Sequence, residues 1–192
     1  MKIFLLRHEI RNLRNPTFYS PLLQNGLENA EKLKNFLNKC NIDIIYSSPF
    51  KRVLQTIEPF CKKNNKKINI EYSLYEQIGE HDDVDIQFSK KKFRYDLKKN
   101  DFGYDLVNKR YKSYLPLNKI EYTMDTQARS VNFLKFILEK YKNTNKNILI
   151  ASHEGILLQM MGIYEKANIP MGGLLLYYDN GFFGLNPINF SF

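Results

Sequence analysis

The sequence predicts an α/β protein: a three-layer α/β/α sandwich around a mostly parallel central sheet, with a C-terminal hairpin and a small inserted cap. Three observations predict it. Short apolar runs alternate with segments of helical period, a pattern that calls for parallel strands with helices on both faces. The tail carries two apolar stretches around Asp179-Asn180-Gly181, a hairpin signal. Between residues 76 and 120 the alternation lapses into charged clusters with interleaved aromatics, which marks an insertion. The chain has 192 residues, of which 43% are hydrophobic. That suits one domain, 1–192, with the cap at about 76–120.

The first strand, Lys2-Ile3-Phe4-Leu5-Leu6, closes on Arg7-His8, two polar groups delivered to the edge of a sheet. A polar loop, Glu9 to Ser20, contains Arg11, Asn12, Arg14 and Asn15 and is punctuated by Pro16 and then Pro21. From Asn25 the spacing of Leu27, Ala30, Leu33 and Leu37 is helical. Ile42–Tyr46 reads as the second strand and ends at Ser47-Ser48-Pro49. Ser48 is expected as the N-cap and Pro49 as the first residue of a helix running to Lys63, with Val53, Leu54, Ile57 and Phe60 inward. Arg52 falls in the first turn of that helix. Lys67–Tyr72 is a short third strand. After the insertion, Asp125–Tyr141 is helical, apolar at Ala128, Val131, Leu134, Ile137 and Leu138. Asn147–Ala151 is a buried strand ending at Ser152-His153, and a helix follows over Gly155–Tyr164. The hairpin pairs Leu174–Tyr178 with Phe182–Phe190.

Parallel strands end on one rim, so Arg7-His8, Arg52 and His153 are expected together there. Arg52 also stands at a helix N-terminus, where free N–H groups and the dipole favour an anion. Two guanidinium forks match phosphate oxygens. A neutral imidazole among them can attack phosphorus and form a covalent intermediate.

Charge and composition restrict the alternatives. The net charge is +9, but Lys and Asn are spread along the chain with no nucleic-acid motif. We therefore expect an anionic small molecule rather than nucleic acid as partner. No apolar run approaches the roughly 20 residues of a membrane helix, and the segment before Arg7 is shorter than a secretory core. A cytoplasmic protein without membrane contact is the expectation. Cys40 and Cys61 lack metal-site spacing and read as reduced packing residues. His81 with Asp82, Asp83 and Asp85 fits no strong metal pattern and reads as a solvated loop. No metal and no cofactor are expected.

Four motifs in order resemble one family, the histidine phosphatase superfamily (phosphoglycerate mutase-like). Leu6-Arg7-His8 resembles its opening motif. Pro21-Leu22-Leu23-Gln24-Asn25-Gly26-Leu27-Glu28-Asn29-Ala30 resembles its Pro-Leu-Thr-x-x-Gly-x-x-Gln-Ala helix start. Ser47-Ser48-Pro49-Phe50-Lys51-Arg52-Val53-Leu54-Gln55-Thr56 is similar to its Ser-Ser-Pro-x-x-Arg-Ala-x-Gln-Thr signature. Ala151-Ser152-His153-Glu154-Gly155 is similar to its second-histidine motif, and the tail looks like its closing hairpin. The resemblance hardly touches residues 80–120.

The resemblance implies roles. His8 would be the phosphorylated nucleophile, with Arg7, Arg52 and His153 holding the phosphoryl group. A carboxylic acid after the third strand would protonate the leaving oxygen and later activate water. Leu74-Tyr75-Glu76 matches the family's Leu-x-Glu, so Glu76 is the first candidate and Glu80 its competitor. Three positions depart from the pattern: Glu9 and Glu154 replace the glycines after the two histidines, and Arg11 resembles the Arg-His-Gly-x-Arg opening of the acid phosphatase branch. Arg11 is accordingly a candidate phosphate ligand, and Glu154 an alternative acid. Glu9 is expected to turn aside and pair with a base such as Arg11 or Arg14, because an unpaired carboxylate beside a phosphate is unfavourable.

The function implied is hydrolysis of a phosphomonoester through a phosphohistidine, without metal. The substrate would be a small phosphorylated molecule, or a phosphoprotein side chain. The alternatives are phosphoglycerate mutase-type transfer and a catalytically impaired phosphate-binding domain. The abbreviated cap leans toward hydrolysis. Oligomeric state stays open at this point.

Overall fold

The computed structural model describes residues 1–12, 19–76, 104–115, 126–163 and 169–188. Six strands form one mixed sheet in the order β3-β2-β4-β1-β5-β6. They are β1 (Lys2–Arg7), β2 (Ile44–Ser47), β3 (Ile68–Ile70), β4 (Asn147–Ser152), β5 (Leu174–Asp179) and β6 (Phe182–Ile188). Among the described residues the α-helices are α1 (Gln24–Lys39), α2 (Lys51–Lys63), α3 (Thr126–Tyr141) and α4 (Glu154–Met160). The first four strands run parallel, and β5 and β6 form the antiparallel hairpin beside β1.

Alternation along the strands divides the core in two. Phe4, Leu6, Ile45 and Leu149 face α1 and α2, where they meet Leu33, Leu37, Val53, Leu54, Ile57 and Phe60. Ile3, Leu5, Tyr46, Ile148 and Ile150 face α3 and α4, where they meet Phe133, Leu134, Ile137, Ile156 and Leu157. A period of two in the strands therefore builds both outer layers of the sandwich. Each fully buried Leu or Ile contributes about 1.5–3 kcal/mol to holding the layers together.

The register sets the rim. Arg7 is level with Ser152, and Ser47 with both Ala151 and Ile70. The pairing continues one residue further through His8 N–H to Ser152 O (3.1 Å), Ser48 N–H to Ala151 O (3.0 Å) and Glu71 N–H to Ser47 O (2.9 Å). Beyond β3 the chain makes a single 3-10 turn, Tyr72–Leu74. Ser152 Oγ ties Leu74 O to the end of β4 at 2.8 Å.

Three local expectations change. The second long helix begins at Lys51 with Phe50 as N-cap, and no side chain caps it; the Ser48 hydroxyl is taken instead by His153 at 2.9 Å. In α3 the inward stripe runs through Thr126, Ser130, Phe133, Leu134 and Ile137, which repeat at three and four and leave Ala128 on the exposed side. Gly26, not Leu27, is the buried residue at the start of α1. A Cβ there would lie 2.5 Å from Ile10 O, so only glycine lets the helix approach the loop after His8. Most of the expected cap, with Glu80, His81 and the Asp cluster, lies outside the described residues. In the part that is described, Glu71 is buried and gathers the Ser73 and Tyr114 amides (each 2.9 Å) and the Tyr111 and Ser113 hydroxyls (2.5 and 2.8 Å). That network fastens 111–115 to the end of β3. No described helix is long and apolar enough to cross a membrane.

Candidate active site

β1 delivers His8, the turn after β2 and the first turn of α2 deliver Ser48 and Arg52, the turn after β3 delivers Glu76, and β4 delivers His153. Ligand atoms of His8, Glu76 and His153 all lie within 4.8 Å of one another. The two imidazole rings meet edge to face, 5.2 Å between centroids. Separate strand ends have thus been gathered at one place, as the rim argument required.

His8 is almost fully buried, and its Nδ1 lies 2.7 Å from Glu9 O. A carbonyl only accepts, so Nδ1 carries the proton and Nε2 keeps a lone pair. Burial, reinforced by His153 and Arg52, holds the ring well below the ordinary histidine range. His8 is therefore neutral near pH 7, with Nε2 the basic atom.

His153 has no solvent exposure. Its Nε2 is 2.9 Å from Ser48 Oγ. Its Nδ1 stands 2.9 Å from Glu76 Oε2, though out of line for a hydrogen bond. Burial lowers it to about 4 against the opposing pull of Glu76. Arg52 is 1% exposed, with an Nη2 3.5 Å from the same Glu76 oxygen. Burial brings this guanidinium down to about 10, still charged at neutral pH. Burial would raise Glu76, but the charges of His153, Arg52 and His8 outweigh it and bring the carboxyl to about 2. Near pH 7 both histidines are uncharged, and the charged Arg52 guanidinium remains beside the Glu76 carboxylate.

Arg7 is clamped rather than open. Its Nη1 pairs with Glu154 Oε1 at 3.0 Å and donates to Ile169 O, and the same Glu154 oxygen accepts the Ile169 amide at 3.1 Å. Arg7 Nε is buried without a partner among the described residues. Arg11 bridges to Leu22 at the lip, close enough that its charge lowers both Arg52 and His153. Glu154, the alternative acid, is thus engaged with Arg7, whereas Glu76 contacts Arg52 and His153.

Glu9 corrects an expectation. It is 3% exposed, and its carboxylate accepts from the Ile10 amide and from Asn29 Nδ2, each at 3.3 Å. It lies against Gly172. Its partner is a neutral amide from α1, not Arg11, and Arg14 lies outside the described residues. The reason is burial, which raises its pKa and favours nearby N–H donors over a solvated base.

Two residues without a role in the sequence reading organise this site. Phe50 packs edge to face on both His153 (4.8 Å) and Tyr75 (4.9 Å), and the Arg52 guanidinium lies 4.4 Å over its ring. Its place between Pro49 and Arg52 in the signature could have flagged it. Arg129 donates to the backbone around Glu76, and nothing in its helical spacing signals that. The end of the signature is structural: Gln55 accepts the Leu22 amide at 2.8 Å, and Thr56 joins Glu9 N to Arg52 O at 3.0 and 2.8 Å.

The His8–Glu76–His153 group offers two imidazoles and a carboxylate, a donor set that zinc accepts. Here the Arg52 cation already occupies the carboxylate's field, and His153 Nε2 is engaged by Ser48. The arrangement suits an anion placed between Arg52 and His8 better than a divalent cation.

The family model described as histidine phosphatase superfamily (branch 1) matches residues 4–174. Among curated proteins, no sequence matches. Solved structures share the fold. An ecdysone phosphate phosphatase from Bombix mori in complex with tungstate is 17% identical at a TM-score of 0.65, covering 100% of this chain and 97% of its own. The alpha-ribazole phosphatase of Shigella flexneri is 20% identical at 0.63, covering 97% and 96%. A mutant phosphoserine phosphatase of Entamoeba histolytica in complex with phosphoserine is 19% identical at 0.60, covering 97% and 93%. With the family model matched from β1 to the start of β5, the chain belongs to the histidine phosphatase superfamily, branch 1.

Proposed function

We propose that this protein hydrolyses a phosphomonoester by way of a phosphohistidine on His8. The observation that carries the reading is the Nδ1 contact to Glu9 O at 2.7 Å. It directs the lone pair of a neutral imidazole, Nε2, into the cluster that Arg52, Glu76 and His153 share. In the first step Nε2 attacks phosphorus, the N–P bond forms and the ester P–O bond breaks. Arg52, with Arg7, Arg11 and His153, takes the charge on the equatorial oxygens. Glu76 gives its proton to the leaving oxygen. In the second step Glu76 takes a proton from water, the water oxygen bonds phosphorus, and the N–P bond breaks.

The charges around Glu76 hold it ionised, and the substrate changes that. An arriving phosphate dianion takes up the charge of Arg52 and adds its own negative field, and both raise a neighbouring carboxyl. The proton thus joins Glu76 as the complex forms. Membership of the superfamily and the phosphatase names of the structural neighbours support the same chemistry.

The test is a panel of phosphate esters with wild type and His8→Ala side by side, scoring phosphate release and acid-labile phosphate on the protein. Turnover and a phosphoenzyme in wild type, both absent in His8→Ala, are expected. Rapid 3- to 2-phosphoglycerate exchange without phosphate release would move the protein to the mutases. No hydrolysis and no phosphohistidine across the panel would leave only a phosphate-binding domain.

A further inference from the structure

We infer that Arg129, on the outer helix α3, is the positioning residue for Glu76. The inference rests on the reading of Glu76 as the acid and adds how it is held. Glu76 follows β3 by six residues, beyond a single 3-10 turn, where no sheet pairing fixes the backbone. The Arg129 guanidinium supplies that frame. Its Nη1 donates to Ser73 O at 2.6 Å, and its Nη2 donates to Tyr75 O at 2.6 Å and Glu76 O at 3.4 Å. Ser152 Oγ takes the intervening carbonyl, Leu74 O, at 2.8 Å. Every carbonyl from Ser73 to Glu76 is thereby tied to α3 or β4, the two elements that flank the site on this side.

The chemistry explains why an arginine stands there. Three carbonyls in one turn point their oxygens at a single region, and a rigid fork of N–H donors satisfies them together. Charged donors make the stronger bonds. A lysine has a compact head and cannot span them in one geometry. The Arg129 guanidinium also lies 5.8 Å from the Tyr75 ring centroid, and that ring abuts Phe50 beneath His153. Arg129 thus braces both the backbone of Glu76 and the aromatic floor under its partner. An acid displaced by about 1 Å loses on the order of a hundredfold in rate.

The experiment separates positioning from general support by leaving group. An alkyl phosphate needs its leaving oxygen protonated; 4-nitrophenyl phosphate does not. We expect Arg129→Ala to lower kcat/KM on the alkyl ester about a hundredfold and on the aryl ester less than tenfold, with inhibition by inorganic phosphate unchanged. Arg129→Lys, which keeps the charge and most of the packing, should show the same selectivity in weaker form and covers the case in which the alanine variant does not fold. Glu76→Gln should show the same selectivity, and the double variant should lose no more than Glu76→Gln alone. Equal losses on both esters, or none, would overturn the role of Arg129. If Glu76→Gln itself shows no leaving-group selectivity, the assignment of the acid fails, and the positioning role fails with it.

Discussion

Ser48 Oγ and His153 Nε2 stand 2.9 Å apart, a hydroxyl from the turn after β2 orienting an imidazole at the end of β4. Both are fully buried. The contact fixes the ring that faces Glu76, and it explains why Ser48 does not cap α2. Ser48→Ala should leave a buried ring nitrogen unsatisfied, at about 1–3 kcal/mol of stability. Turnover should fall about tenfold or more as the ring loses its orientation. Denaturant unfolding and steady-state kinetics on the variant check both halves; unchanged kinetics would remove Ser48 from the site.

The pairing of Arg7 with Glu154 at 3.0 Å sets a carboxylate beside a proposed phosphate ligand. Glu154→Gln keeps an oxygen for the Ile169 amide and removes the negative charge. Inorganic phosphate should then inhibit several-fold more tightly, because a carboxylate repels an incoming dianion. Weaker inhibition would mean that the ion pair aims Arg7 and that aim outweighs repulsion.

Glu9 and Gly172 make a second pair. A Cβ at Gly172 would lie 1.9 Å from Glu9 Oε1, and the backbone there has φ +70°. Gly172→Ala should therefore cost about 1–2 kcal/mol for the left-handed backbone and more for driving Glu9 off Asn29 and the Ile10 amide. In a Glu9→Ala background the same substitution should cost only the backbone share. Thermal melts of the four proteins in this cycle give the coupling; additive losses would refute the packing argument.

The histidines predict a pH dependence. His153 has a folded value of about 4 against an ordinary 6.5. The unfolded chain therefore binds a proton first as pH falls. The contribution is complete above about pH 6.5 and is lost as pH falls toward about 4, on the order of 1.4 kcal/mol per pH unit in that window at most. Glu76, depressed from 4.5 to about 2, extends the loss below about pH 4.5. Urea midpoints between pH 7 and pH 4 should drop, and His153→Gln should flatten the upper part of that fall. His8 is lowered as well, so kcat/KM should persist below pH 6.5 before its acid limb begins.

Much of this could be read along the chain, for local reasons. The unbroken apolar runs Ile3–Leu6 and Ile148–Ala151, the helical spacing of Val53, Leu54 and Ile57, and the Asn180-Gly181 turn are short-range signals. In the last of these, Asn180 has φ +48° and Gly181 φ +107°, as a tight hairpin requires. Arg7, His8, Arg52 and His153 were legible because each stands at the end of such a segment, and parallel strands share a rim.

What the sequence by itself determined is therefore the order of strands and helices and the residue types at their ends. Tertiary structure alone decided the partners. That Glu9 turns to Asn29 and not to Arg11, that Ser48 serves His153 and not a helix end, and that Arg129 holds the turn bearing Glu76 are contacts between residues 20, 105 and 53 or more positions apart. Buried polar groups take whichever donor or acceptor the packed layers bring within hydrogen-bonding distance. That choice is made by the closing of the sandwich, and no local pattern encodes it.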